Sequence, residues 1–125
     1  MDLQPNEPRN KILKTLKPHQ NLLAVSKLQP IEKIKKLAAQ GQIHFGENYV
    51  QEALEKIEAL QELHLQWHLI GPLQKNKVKY LKNSFAYIHS VDSIALAEIL
   101  STKCSLINYR QKIFIQVNLA GEASK

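Results

Sequence analysis

The amino-acid sequence predicts an α/β fold built on a parallel β-sheet. Five short apolar runs of strand length alternate with longer segments of helical periodicity, and only a few residues connect each run to the next segment. Such an alternation favours parallel strands joined by right-handed helical crossovers. The chain shows no boundary signal, internal repeat or low-complexity tract, so residues 1–125 are expected to form a single α/β domain.

The five predicted strands follow one another at regular intervals along the chain. The first run, LLAVSK, is followed by the proline that opens a helix, and the others are IHFGE, QWHLIG, AYIHSVD and IFIQVN. These runs place the predicted strands at residues 21–27, 43–47, 66–71, 86–92 and 113–118.

Helical periodicity fills the segments between the strands. Pro30 stands where a first helical residue needs no N–H donor, and Gly41 ends that helix. Asn48 followed three residues later by Gln51 resembles a capping box, which predicts the start of the second helix. The other helices are expected at residues 72–83 and 93–108, and residues 1–20 are expected to form an N-terminal arm or short helix.

The composition excludes several classes of protein. The chain is 44% hydrophobic and 22% charged, which is ordinary for a globular domain. No stretch approaches the roughly 18 uninterrupted apolar residues of a membrane helix, and the first residues lack the apolar run of a signal peptide. The single cysteine, Cys104, is interpreted as a small core residue, with neither a disulfide nor a metal site indicated. We therefore expect a cytoplasmic protein without a bound metal.

The net charge of +6 favours anionic partners without choosing among them. Four lysines at positions 75, 77, 79 and 82 are close enough to contact phosphates. No aromatic platform or known binding pattern accompanies them, so the cluster is interpreted as a solvated helix face. Neither a nucleic acid nor a membrane is an expected partner.

Polar residues follow the predicted strands at their carboxyl ends, where parallel α/β folds bind ligands. Lys27 is the most unusual of them, because it ends a strongly apolar run. One interpretation is a rim lysine whose ammonium reaches solvent from a buried strand. The other is a nucleophile: apolar walls and neighbouring cations would lower the pKa of its amine and allow attack on an aldehyde such as pyridoxal phosphate (PLP).

Five sequence blocks carry a family resemblance. LLAVSK, HFGENYVQEALEK, WHLIGPLQKNKVKYL, IHSVDS and VNLAGEASK resemble, in order and spacing, the signature blocks of the pyridoxal phosphate homeostasis proteins, also called proline synthase co-transcribed homologues. The resemblance runs from about residue 22 to residue 125. It implies a (βα)8 TIM-type barrel of the alanine racemase N-terminal type, of which this chain supplies about the first half, strands 1 to 5.

The resemblance also implies a cofactor and its attachment point. By match to the family's AVSK block, Lys27 is the lysine that holds pyridoxal 5′-phosphate as a Schiff base, in a protein that maintains the intracellular PLP pool without established catalysis. Asn48 would lie at the pocket mouth, although the helix-capping role explains it equally well. His68 could face the barrel interior near the cofactor, and Lys125 could contact anions of the cofactor or substrate. Gln29 stands where many relatives carry a second lysine, which places any role of that lysine in doubt here.

Like Gln29, the length of the chain departs from the family pattern. A barrel of this type takes about 200 to 250 residues, so we expect an N-terminal part without the phosphate-binding loops of the later strands. The first and fifth strands would be open sheet edges, and such edges favour pairing with another chain. Self-association is therefore expected.

Two other functions stay open at this point. A PLP-dependent amino-acid racemase uses the same barrel and lysine, but it needs acid–base groups on both faces of the cofactor. A truncated form that no longer binds cofactor would retain the scaffold alone.

Overall fold

A five-stranded parallel sheet forms the centre of the molecule. The computed structural model describes residues 7–120. The strands are β1 (Ala24–Val25), β2 (His44–Glu47), β3 (Gln66–Leu69), β4 (Tyr87–Val91) and β5 (Lys112–Ile115). Each strand pairs with the next one along the chain, and all four pairings are parallel. An unreversed strand order distinguishes a barrel-type sheet from a doubly wound sheet, so the predicted fold class is confirmed.

Four α-helices alternate with these strands. They are α1 (Glu7–Thr15), α2 (Ile31–Ala39), α3 (Val50–Ala59) and α4 (Ile94–Leu106). Two 3-10 helices, Gln61–Leu63 and Lys75–Tyr80, complete the connections around β3. The order β-α-β therefore holds from β1 to β3 and from β4 to β5, whereas a 3-10 helix joins β3 to β4.

Local sequence signals account for where the helices begin and end. Pro30 precedes α2 with an extended backbone, and Ile34 is the fully buried residue of that helix. Ser93 caps α4 by accepting a hydrogen bond from the amide of Leu96 at 3.1 Å. Gly41 adopts a φ of 103° just after α2, a left-handed conformation that favours glycine.

The two faces of the sheet differ in chemistry because strand residues alternate between them. The outer face carries Phe45, Trp67, Leu69 and Ile88, which are buried in one cluster with residues of α2, α3 and α4. The inner face carries Gly46 and a row of rings, His44, His68, Tyr87, His89 and Phe114, that contact one another across β2 to β5. The hydrophobic core therefore lies between the sheet and the helices.

The structure differs from the sequence-based element boundaries at two places. The strand predicted at residues 21–27 is regular only at Ala24–Val25, since β1 has a neighbour on one side alone in the described structure. The α-helix predicted at residues 72–83 is wrong. Gln74 is still extended, and the following turns at Lys75–Tyr80 are 3-10.

The structure also bears on the expected burial of Cys104 and on membrane-spanning helices. Cys104 is partly exposed on α4, so its interpretation as a core residue is wrong. No helix among residues 7–120 is long and apolar enough to cross a membrane.

Both ends of the sheet lack a partner strand within residues 7–120. Strand β1 pairs only with β2, and β5 pairs only with β4. Apolar side chains at these edges are exposed, with Val25 at 55% and Ile115 at 76% of full exposure. The described part of the chain therefore presents two open edges of one parallel sheet.

Candidate functional site

Lys27 lies at the carboxyl end of β1, where the chain leaves the sheet. The amide of Ser26 still donates to the carbonyl oxygen of Gly46 at 2.9 Å, which extends the β1–β2 pairing by one residue. Lys27 begins the following turn, and its side chain is exposed. Leu28 comes next with a φ of 60°, a left-handed conformation that is unfavourable for a residue with a Cβ. The lysine predicted to bind the cofactor is thus exposed on a turn whose next residue has a left-handed backbone conformation.

A buried ion pair lies directly beneath this turn. Glu47, the last residue of β2, is fully buried, and the side chain of Lys56 on α3 is only 7% exposed. The Lys56 ammonium donates to Glu47 Oε2 at 2.9 Å and to Oε1 at 3.1 Å. Since a buried charge without a partner is very costly, each of these two groups depends on the other.

Lys56 and Glu52, a second carboxylate on α3, connect this ion pair to the residues on either side of Lys27. Lys56 Nζ donates to the carbonyl oxygen of Ser26 at 2.7 Å, and the Ser26 hydroxyl donates to Glu47 Oε2. On the other side, the amide of Leu28 donates to Glu52 Oε1 at 2.6 Å. Lys56 and Glu52 are themselves 2.6 Å apart. Two α3 side chains, Lys56 and Glu52, therefore bind the backbone on either side of Lys27, and Glu47 and Ser26 complete the network.

The ionised form of Glu52 is favoured at this position. Burial alone would raise the pKa of its carboxyl group, but hydrogen bonds from Lys56 and from the Leu28 amide, with the nearby Lys56 charge, outweigh it and lower the pKa. Glu52 is consequently a carboxylate at neutral pH and accepts both hydrogen bonds.

Sequence reasoning did not find this network. In the sequence Glu47 is recognisable only as the polar residue that ends the run IHFGE, and no pattern distinguishes Lys56 from the other helix lysines. One signal was present, because Glu52 and Lys56 stand four residues apart on a predicted helix and would form an ion pair there. The contact of that pair with β2 and with the Lys27 turn depends on the packing of α3.

Asn48 is not the cap of α3. The residue preceding the helix is Tyr49, and no side chain caps the helix there. The Oδ1 atom of Asn48 is buried without a hydrogen-bond partner among the described residues. The capping role that competed with a binding role is therefore wrong, and an unsatisfied acceptor remains at the carboxyl end of β2.

Gly71 allows the backbone of Asn48 to come close to the end of β3. A Cβ atom at position 71 would lie 2.3 Å from the Asn48 carbonyl oxygen and 2.7 Å from its Cα. Both are backbone atoms, so no side-chain rotation could relieve the clash. The close contact between these two strand ends is therefore possible only because residue 71 has no side chain.

His68 lies on the inner face at the centre of the ring row. Its Nε2 is 3.0 Å from His44 Nδ1, its Nδ1 is 2.9 Å from His89 Nε2, and its ring stacks on Tyr87 with centroids 4.9 Å apart. Burial, followed by the neighbouring imidazoles of His89 and His44, lowers the pKa of His68 to about 4. Burial also lowers the pKa of His89. His68 is therefore a neutral, hydrogen-bonded residue of the inner face.

The remaining expectations from the sequence concern Lys125, a metal site and the lysine cluster. Lys125 lies outside the described residues. Within residues 7–120, no group of three His, Cys, Asp or Glu side chains is arranged to hold a metal ion. The lysines at positions 75, 77, 79 and 82 lie in and just after the 3-10 helix, where Lys77 and Lys79 approach the ring of Tyr80.

Solved structures share this fold closely. PipY of Synechococcus elongatus superimposes with a TM-score of 0.91 both without PLP and with PLP bound, at 42% and 43% sequence identity. These matches cover 98% and 96% of this chain and 57% of PipY. No protein-family model matches the chain.

Curated proteins give the same relationship. The pyridoxal phosphate homeostasis proteins of Vibrio cholerae and Pseudomonas aeruginosa are each 44% identical to the chain, over 108 and 104 residues. The chain is a relative of the pyridoxal phosphate homeostasis proteins. The resemblance of the five sequence blocks is thereby confirmed. Each match covers 83% of the chain but only 46% and 45% of the two relatives, so the chain spans about half of their length.

In this relative of the homeostasis proteins, we expect Gly71→Ala to be far more damaging than Gly46→Ala. The new Cβ at position 71 would meet backbone, whereas a Cβ at position 46 would meet the flexible end of Ile70 at 3.0 Å. Overpacking of this kind typically costs about 1–3 kcal/mol. Urea unfolding followed by circular dichroism measures both variants. Equal losses of stability would show that the Asn48–Gly71 contact is not rigid.

We also expect the stability of this homeostasis-protein relative to fall as the pH is lowered from 6.5 toward 4. Because the folded pKa of His68 lies near 4, below its ordinary value of 6.5, the unfolded chain binds more protons in that window. Protonation of the unfolded chain at His68 therefore costs no stability well above pH 6.5, and the stability lost between pH 7 and pH 5 is on the order of 1–2 kcal/mol after allowance for solvent screening.

Urea unfolding at pH 7 and pH 5 tests this expectation. His68→Gln should lose less stability between the two pH values than the wild type, while His19→Gln, at an exposed position, should behave as the wild type does. An unchanged difference in His68→Gln would exclude His68 as the source of the pH dependence.

Proposed function

We propose that the chain binds pyridoxal 5′-phosphate through Lys27 and acts in PLP homeostasis as a carrier or regulator. The observation that supports this most directly is the match to PipY, whose PLP-bound structure is 43% identical over 96% of this chain with a TM-score of 0.91. Relatives at 44% identity are named for the same role. The proposal includes cytoplasmic location and no nucleic-acid or membrane partner.

The position of Lys27 supports its proposed role in the attachment of an aldehyde. Lys27 is exposed at the carboxyl end of a parallel strand, and two α3 side chains bind the adjoining backbone. Lys27 would hold the cofactor as a Schiff base, for which its neutral amine would give up two protons and the aldehyde oxygen would be released as water. PLP supplies an electrophilic aldehyde and a dianionic phosphate.

Other residues of the chain fit a bound cofactor to different degrees. Asn48 offers a buried acceptor without a partner at the end of β2, next to the close approach of Gly71. We propose Asn48 as a pocket residue that receives a donor group. His68 would contribute a neutral, buried wall on the inner face below the strand ends. Lys125 stays a proposed anion contact outside the described residues.

We propose that the protein is not an enzyme. Racemisation requires acid–base groups on both faces of the cofactor. The neutral and mutually bonded state of His68 makes it a poor proton donor at neutral pH. His68 therefore does not favour the racemase over a carrier.

Reductive trapping tests the attachment at Lys27. We expect borohydride reduction after mixing with PLP to label Lys27 selectively, as located by peptide mass spectrometry. Lys27→Arg keeps the positive charge but cannot form the Schiff base, so it should lose the label and the visible absorption band. Lys33→Arg, at an exposed position on α2, is the matched control and should retain both.

Two results would contradict the proposal. Label scattered over surface lysines would mean that Lys27 has no advantage over them. No label and no absorption band at high PLP concentration would mean that this part of the chain is a scaffold that does not bind cofactor.

We also propose that copies of this chain associate through their open edges. Strands β1 and β5 lie at opposite ends of one parallel sheet, so β5 of one copy can pair with β1 of another in the same direction. The exposed apolar residues Val25, Phe114 and Ile115 lie along these edges. Unpaired strand edges with apolar side chains favour such pairing.

Light scattering at micromolar concentration should therefore give a mass above that of one chain. Ile115→Lys places a charge on the β5 edge and is expected to shift the protein toward the monomer. Ile94→Lys, at a similarly exposed position on α4, is the control and should not shift it. A monodisperse monomer of the wild-type chain would exclude association.

A further inference from the structure

We propose that Glu52 and Lys56 act together as a clamp that positions Lys27. The clamp consists of these two α3 side chains and their hydrogen bonds to the backbone of residues 26 and 28. Its consequence for cofactor attachment rests on the proposed function, whereas its existence as a structural device does not. Both groups are positioning residues, since neither is placed in contact with the aldehyde.

The first arm of the clamp acts on the residue before Lys27. The Lys56 ammonium donates to the Ser26 carbonyl oxygen at 2.7 Å while it remains paired with the buried carboxylate of Glu47. A charged donor gives a stronger hydrogen bond than a neutral one. This arm fixes the peptide that joins Ser26 to Lys27.

The second arm acts on the residue after Lys27. The Leu28 amide donates to Glu52 Oε1 at 2.6 Å, and the same oxygen is 2.6 Å from Lys56 Nζ. Leu28 has a left-handed φ of 60°, and its side chain is 72% exposed. Packing of so exposed a side chain gives little support to this unfavourable conformation. Two hydrogen bonds hold this turn: the Gln29 amide donates to the Ser26 carbonyl oxygen at 3.1 Å, and the Leu28 amide donates to Glu52, the one side-chain partner of the Leu28 backbone among the described residues.

The two arms converge on one pair of side chains. Peptide groups on both sides of Lys27 are bound to α3, and the Lys27 side chain itself is left exposed. The two bonds restrict the backbone of Lys27 more than its side chain. A nucleophile whose backbone is fixed starts with less orientational freedom to lose on reaction.

A simpler explanation is that Glu52 and Lys56 form an ordinary ion pair four residues apart on a helix. Such a pair stabilises the helix along its surface and has no reason to contact a distant turn. Here the bond from Leu28 to Glu52 joins residues 24 positions apart in the sequence. The geometry therefore assigns the pair to the turn as well as to α3.

Three variants of the 125-residue chain test the clamp, two at Glu52 and one at Glu55. Glu52→Ala removes the acceptor, Glu52→Gln keeps an oxygen that can accept from Leu28, and Glu55→Ala on the same helix is the exposed control. Two measurements are made on each: the hydrogen-exchange protection of the Leu28 amide by NMR, and the borohydride-trapped PLP label at Lys27.

We expect Glu52→Ala to lose protection at Leu28 and to reduce the Lys27 label roughly tenfold, because misplacement of a reacting group by about 1 Å can cost on the order of 100-fold. Glu52→Gln should retain part of both properties, and Glu55→Ala all of both. Partial rescue by glutamine distinguishes positioning of the turn from a general loss of helix stability.

The possible results separate this inference from the proposed function. Unchanged Leu28 protection in Glu52→Ala would overturn the clamp. Lost protection with an undiminished Lys27 label would overturn its positioning role. If the wild type gives no label at Lys27 while Glu52→Ala still loses protection and Glu52→Gln partly keeps it, the proposed function fails and the clamp stands.

Discussion

The ammonium of Lys56, withdrawn from water at the end of β2, is the constraint on which the described structure most depends. A cation of this kind must find all its partners within the protein, and Lys56 finds them in Glu47, Glu52 and the Ser26 carbonyl oxygen. Because these partners belong to β2, α3 and the turn after β1, the charge can be satisfied only when all three have assembled. Replacing such a group leaves an uncompensated buried charge, which typically costs 3–5 kcal/mol.

The sheet separates two kinds of environment near the buried Lys56. On the outer face, apolar side chains such as Phe45, Leu69 and Ile88 meet the helices and form the core. On the inner face, histidine and aromatic rings contact one another instead. Two of the functional candidates, Lys27 and Asn48, lie at the carboxyl ends of the strands, between these two environments. The side chains that hold the candidate lysine come from the helix side, and the face expected to meet a ligand is the opposite one.

Much of the fold follows from local patterns in the sequence. Strands β2, β3 and β4 and helices α2, α3 and α4 were predicted because alternation and helical periodicity are properties of consecutive residues. The length of β1 and the 3-10 geometry of Lys75–Tyr80 were not, since both depend on neighbours that the local pattern does not identify. Lys27 stood out by its place at the end of an apolar run. Glu52 and Asn48 could not be interpreted correctly, because their partners or lack of partners are set by the packing of α3 against the strand ends.

The row of histidines on the inner face restricts where protons can lie. His68 makes two ring-to-ring hydrogen bonds, one through each nitrogen, to His44 and His89. A neutral imidazole carries one N–H, so both bonds form only when the three rings share a tautomer, all with hydrogen on Nδ1 or all on Nε2. The two arrangements differ in the protonated nitrogen of every ring, and the direction of both hydrogen bonds is reversed between them. The inner face is thus polarised across β2, β3 and β4 as a single unit with two orientations.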